Sequence, residues 1–115
     1  MDYIFLIYAN EHAVDLQAQV ANDAALLESG YLLAAVHLQN ALTAACLQVE
    51  NGQIRLSERT FTRPAEQLSA LYVIHARDLN EACRVAAKLP QAHRGPIEIR
   101  SIAAITGQRD CLTPF

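Results

Sequence analysis

Apolar residues fall in short blocks whose spacing switches between the period of a strand and that of a helix. Tyr3 to Tyr8 is a continuous aromatic and β-branched run, which predicts a buried strand. Asn10 is placed to cap a following helix. From Glu11 to Ser29 apolar residues recur at Val14, Leu16, Val20, Ala24 and Leu27, the spacing of one helical face. Gly30 stands where a glycine closes a helix. Tyr31 to Leu38 and Thr43 to Val49 predict two further strands. Asn51-Gly52 is the strongest short-range hairpin signal, with Gln53 to Ser57 as the returning strand. Glu58 to Glu66 is polar, contains Pro64 and reads as a loop. Ala70 to Ile74 predicts a strand ending at His75. Asp78 and Glu81 have capping-box spacing at the head of a helix through Leu89. Leu79, Ala82, Val85, Ala86 and Leu89 form its stripe, and Pro90 stops it. Ile97 to about Ile105 predicts the last strand, and residues 107–115 form an aperiodic tail.

The resulting order, β-α-β-β-(β hairpin)-β-α-β, predicts an α+β class chain with a ferredoxin-like split βαβ pattern and an added hairpin. Residues 1–106 are expected to be a single domain. The two helices should cover one face of the sheet. The strands Tyr3–Tyr8 and Tyr31–Val36 are apolar on both parities, so the second face also needs cover. A second copy stacked sheet to sheet would supply it, giving a homodimer built as a dimeric α+β barrel. Composition points the same way: 52% of the residues are hydrophobic and only 18% charged, against about 25% charged in ordinary domains.

Charge then narrows the partners. The net charge is −3 and the nine Lys and Arg form no run, which argues against nucleic acid, whose binding needs clustered phosphate contacts. The wholly apolar runs, Tyr31 to Val36 among them, fall far short of the roughly 20 residues that span a bilayer, so no membrane partner is expected. The opening Met-Asp-Tyr-Ile-Phe lacks the positive segment of a secretory signal, and a cytoplasmic location is the expectation. Cys46, Cys83 and Cys111 are far apart and make no Cys-x-x-Cys pair. The four histidines never fall at metal-ligand spacing. No metal and no cofactor is therefore expected. There is also no Gly-rich phosphate loop, Gly-x-Ser-x-Gly elbow or HExxH sequence.

Several fragments, in order, resemble YCII-related proteins of the DGPF group. Tyr3-Ile4-Phe5-Leu6-Ile7-Tyr8 is similar to their opening strand. Leu38-Gln39, Thr43-Ala44, Val49 and Gly52 match their second strand, turn and hairpin. Glu66-Gln67-Leu68, Tyr72, Ile74, Asp78-Leu79, Glu81-Ala82 and Leu89-Pro90 resemble the stretch after the signature, and Gly95 with Ile97-Glu98-Ile99-Arg100 the closing strand. The resemblance covers residues 3–102. The signature Asp-Gly-Pro-Phe itself falls on Glu58-Arg59-Thr60-Phe61, where only Phe61 is identical. Val36, followed by His37, occupies a position where relatives often carry Glu. The resemblance implies a dimeric α+β barrel with a cleft between sheet and signature loop. It also implies a His–Asp catalytic role suggested for some relatives, and a link to regulation, because some members lie beside sigma factors in genomes.

Candidate chemistry gathers at that cleft. His37, at the end of an apolar strand, has the residue type for a general base; the plainer alternative is a strand-end imidazole bonded to backbone. Side chains alternate faces along a strand, so Tyr31, Leu33, Ala35 and His37 are expected to share one face. Glu58 and Arg59 lie in the signature loop, where a carboxylate would orient a histidine or take a proton; otherwise they are solvated loop charges. Together His37 and Glu58 are the candidate catalytic pair. Arg59, Phe61, Tyr72 and His75 are candidate ligand-binding residues, Phe61 as an apolar wall and Tyr72 or His75 at the margin. Arg63 has the chemistry to clamp an anion, although an Arg in such a place is more often surface. The expected function is a dimeric small-molecule binding or regulatory module, because the signature has lost its Asp, Gly and Pro and no nucleophile–base pair is visible; the alternative is a small enzyme using a His/carboxylate pair for proton-transfer or lyase-type chemistry.

Overall fold

Alternation along the first strand already sorts its side chains between two faces. In the computed structural model, which describes residues 1–8, 16–39, 44–57 and 67–107, β1 (Asp2–Tyr8) buries Tyr3, Phe5 and Ile7 and leaves Ile4, Leu6 and Tyr8 half-covered. The elements that follow are α1 (Leu16–Ser29), β2 (Leu32–His37), β3 (Cys46–Glu50), β4 (Gln53–Ser57), β5 (Leu68–His75), α2 (Leu79–Ala87), a short 3-10 turn (Pro90–His93) and β6 (Ile97–Ser101). Four strands make an antiparallel sheet in the order β2-β5-β1-β6, and among the described residues β3 and β4 pair only with each other. Over the described residues the chain is thus α+β, with two α-helices and antiparallel sheets. The strand order is compatible with a ferredoxin-like fold carrying an inserted hairpin between its second and third sheet strands.

Register fixes which side chains share the covered face. Phe5 stands opposite Tyr72 on one side and Ile99 on the other, and Ala35 and His37 stand opposite Tyr72 and Ala70. Tyr3, Phe5, Ile7, Leu32, Ala70, Tyr72 and Ile74 join Ala82, Val85, Ala86 and Leu89 from the α2 side in one core cluster. The opposite face carries Ile4, Leu6, Ala34, Val36, Leu71 and Val73, through the pairs Ile4↔Val73, Leu6↔Leu71, Ala34↔Val73 and Val36↔Leu71. None of these six is buried.

Three local details depart from simple periodicity. First, β2 holds a bulge: Leu32 faces Ile74 and Ala34 faces Val73, so two steps in β2 answer one in β5. An extra residue shifts the parity, and the face that ends in Ala35 and His37 begins at Leu32 rather than continuing through Leu33. Second, Glu81 does not close a reciprocal box. Asp78 accepts from the Glu81 N–H at 2.9 Å, but the Glu81 carboxylate accepts from the N–H of Arg77 instead of Asp78. Third, α1 is turned. Leu16, Val20 and Leu27 on its apolar stripe are half exposed or more, while Gln19 is buried and Asn22, Asp23 and Leu26 are half-covered. The physical reason lies in the bonds of Asp23 to the sheet, described below, which hold the polar side of this helix inward.

The turns follow their sequence signals. Asn51 and Gly52 both have positive φ, 52° and 77°, as a two-residue turn that follows the twist of a hairpin requires. Gly30, at φ 87°, closes α1 with its N–H donating to the Leu27 carbonyl at 3.2 Å. The hairpin is two-faced. Leu47, Val49, Ile54 and Leu56 share one face through the pairs Leu47↔Leu56 and Val49↔Ile54, and all are 59–70% exposed.

Candidate functional site

Helix α1 and strands β2 and β5 bring three polar side chains together on the covered face. His37 is the last residue of β2, Tyr72 lies in mid-β5, and Asp23 lies in the middle of α1. His37 Nε2 lies 2.5 Å from Asp23 Oδ2. The Tyr72 hydroxyl donates to the other carboxylate oxygen, Oδ1. The imidazole meets the Tyr72 ring edge to face, with centroids 5.8 Å apart and planes at 87°. The side chains of His37 and Asp23 are only 16% and 13% exposed. A fourth residue completes the chain of bonds: Gln91, from the 3-10 turn, donates its Nε2–H to the Tyr72 oxygen at 3.1 Å.

This arrangement dictates protonation. A carboxylate accepts only, so the neutral imidazole must place its proton on Nε2 and its lone pair on Nδ1. His37 Nδ1 is shielded from solvent and has no hydrogen-bond partner among the described residues. Tyr72 keeps its proton: burial, then its bond to and the charge of Asp23, raise its pKa well above the usual phenol value, and the bond from Gln91 offsets only part of this. Tyr72 is therefore a fixed donor. Asp23 is held at both oxygens, one by the phenol and one by the imidazole. A histidine oriented by a carboxylate, with the lone pair of its second nitrogen unpartnered among the described residues, has the arrangement of a general base whose charged form the carboxylate would stabilise.

The residues expected from sequence fall in three places. His37 and Tyr72 meet in this cluster. His75 stands apart, mostly exposed, with its Nδ1 2.8 Å from Asp2 Oδ1 across the β1–β5 pair. Glu58, Arg59, Phe61 and Arg63 lie outside the described residues. The carboxylate that does reach His37 is Asp23, one of the polar residues between the apolar positions of the first helix, to which the sequence reading gave no role. One signal pointed to it. Asp is a poor residue for a helix interior, and Asp23 sits in mid-helix with Glu28 as the only other charge in α1. Gln91 carried no such signal.

Residues 1–106 match the family model of the YCII-related domain. No curated protein matches the chain.

Proposed function

The chain belongs to the YCII-related domain family, and from that premise we propose that it is a small acid–base enzyme centred on Asp23 and His37. The observation that carries this reading is the His37 ring itself, tied through Nε2 to a carboxylate at 2.5 Å, with Nδ1 left unpartnered among the described residues. His37 Nδ1 removes a proton from the substrate, or from a water that attacks it. Asp23 holds the imidazole in the required tautomer and offsets the positive charge that forms. Tyr72 keeps Asp23 in place and, retaining its proton, does not compete as a base. This is proton-transfer or lyase-type chemistry with a His/carboxylate pair whose carboxylate is Asp23. The alternative, a module that binds a small molecule without converting it, has one observation in its favour: Nδ1 is closed off from solvent in the single chain.

The same reading includes a homodimer. The sheet face bearing Ile4, Leu6, Ala34, Val36, Leu71 and Val73 is apolar and is not buried by the described residues of one chain, and an apolar face of that kind marks an association surface. No helix among the described residues is long and apolar enough to cross a membrane.

The test is a thermal-shift screen against small metabolites, in which a ligand at 100 times its Kd adds about 2.7 kcal/mol. Each hit is then incubated with wild-type protein and with His37→Asn and followed by proton NMR. Conversion by wild type alone supports the enzyme. Binding by both proteins with conversion by neither supports the module and overturns the acid–base reading.

A further inference from the structure

We propose that Gln91 is a positioning residue of the Asp23–His37 centre: its amide N–H commits the Tyr72 proton to Asp23 and so decides which carboxylate oxygen is left for His37. The proposal rests on the acid–base reading above but is tested without it. Gln91 is 1% exposed, in the 3-10 turn that follows Leu89. Its side chain donates Nε2–H to the Tyr72 oxygen at 3.1 Å, and its Oε1 is buried with no partner among the described residues.

That imbalance is informative. A buried amide kept for stability would satisfy both ends, because an orphaned carbonyl opposes folding. An apolar side chain of similar length would fill the same space with no orphan. Gln91 instead gives up one end to present the other to Tyr72. The orientation is forced by the phenol. Tyr72 has a single proton, and Asp23 Oδ1 accepts it, so the Tyr72 oxygen faces Gln91 only with lone pairs and requires a donor there. With Oε1 turned to the phenol, two acceptors would compete for one proton, and Asp23 would lose its hold on the sheet each time the phenol turned away.

The consequence runs along the chain of bonds. With Gln91 donating, the Tyr72 proton stays with Asp23, Oδ1 is occupied, and Oδ2 remains for His37 Nε2. Gln91 touches no reacting atom. It acts through Tyr72 and Asp23.

The experiment uses the full chain and nitrogen-15 NMR of the His37 ring, with proton NMR of the Tyr72 hydroxyl and His37 Nε2–H. In wild type, both protons are expected far downfield and in slow exchange with water, and the ring nitrogens should report a single Nε2–H tautomer. Gln91→Leu is expected to leave the melting temperature unchanged or raised, while the Tyr72 hydroxyl proton exchanges at least tenfold faster. Gln91→Glu is the control for folding and for mechanism. With the introduced carboxyl protonated, its O–H can donate as the amide does, and the wild-type signature should return at low pH. Once ionised it only accepts, and the signature should be lost as pH rises. A filler role would show no such pH-dependent rescue. If both variants keep the wild-type proton exchange and tautomer at every pH, Gln91 is a packing residue and the proposal is overturned. A failure of the enzyme reading would show separately, as no conversion in the metabolite screen with these NMR signatures intact.

Discussion

Replacing Asp23 by asparagine would keep the size of the side chain and reverse the polarity of one of its two bonds. The amide oxygen of the Asp23→Asn variant can still accept the Tyr72 proton, so the buried phenol keeps a partner. Its amide nitrogen, however, donates, and it would face His37 Nε2. The imidazole must then accept there and move its proton to Nδ1, which removes the lone pair the centre presents. The loss in stability should be small, about 1–2 kcal/mol, since a charge-assisted bond is exchanged for a neutral one of roughly half the strength. Asp23→Ala is harsher. The Tyr72 hydroxyl, in a residue with no exposed surface, loses its acceptor at a cost of about 1–3 kcal/mol. His37 adds a smaller amount because its side chain is 16% exposed, for a total of about 2–4 kcal/mol. Unfolding entropy near 2.1 cal/mol/K per residue makes 1 kcal/mol worth about 4 °C in a chain of 115 residues. The expected falls in Tm are therefore about 4–8 °C for Asp23→Asn and about 8–16 °C for Asp23→Ala. Activity orders the two differently: forcing the wrong tautomer in an oriented histidine costs about four orders of magnitude, so Asp23→Asn should be nearly as inactive as Asp23→Ala while more stable. Calorimetry gives the first quantity and nitrogen-15 shifts of the His37 ring the tautomer. If Asp23→Asn retains the Nε2–H tautomer, or costs more stability than Asp23→Ala, the hydrogen-bond assignment at this centre is wrong.

Other outcomes follow from the same geometry. Because Tyr72 has a raised pKa in the folded chain, its contribution to stability is whole below the ordinary phenol pKa near 10 and is lost as pH rises above it, with a slope approaching about 1.4 kcal/mol per pH unit. Urea unfolding between about pH 8 and 11 should show that loss, and Tyr72→Phe should remove this part of it; an identical pH profile in the variant would contradict the assignment. The chain should sediment at about twice 12.6 kDa at micromolar concentration, and Val36→Lys with Leu71→Lys, on the open sheet face, should shift it toward the monomer. A clean wild-type monomer would sink the barrel model. Cys46 opens strand β3 and Cys83 lies in helix α2, and folding is expected to need no disulfide, so reducing agent should move the melting temperature by no more than about 1 °C, well under the shift that 1 kcal/mol produces.

What was legible in the sequence depended on which signals are local. The Asn51-Gly52 turn, the Asp78 cap and the strand over Tyr3 to Tyr8 act through neighbours in the chain, and each is found where the pattern puts it. Element ends shifted by a few residues, as at Ser101 for a strand expected to reach Ile105. The β2 bulge was invisible because a single inserted residue in Leu32–Ala34 leaves the apolar run intact while changing its parity. His37 was recognisable as a polar end to an apolar strand. Its partner was not, since Asp23 and His37 lie 14 positions apart on different elements.

Helix α1 shows why that pairing could not be read. Its apolar residues define a stripe, and a stripe ordinarily faces the core. The amphipathic signal in α1 is nonetheless shallow, because Ala18, Ala21, Ala24 and Ala25 fit either side and only Leu16, Val20, Leu26 and Leu27 carry much apolar area. With burial deciding so little, two hydrogen bonds to Asp23 from buried or nearly buried donors can set the rotation of the helix, since leaving either donor unpaired would cost about 1–3 kcal/mol. Leu16, Val20 and Leu27 are then turned outward at 50–58% exposure. Full burial of such a side chain is worth about 1.5–3 kcal/mol, so half-burial forgoes about 1 kcal/mol apiece. The centre is thus held at a cost in packing that the single chain does not recover. That is the pattern expected where local rules yield to a functional site, and it is the energetic argument in support of the proposed centre at Asp23, His37 and Tyr72.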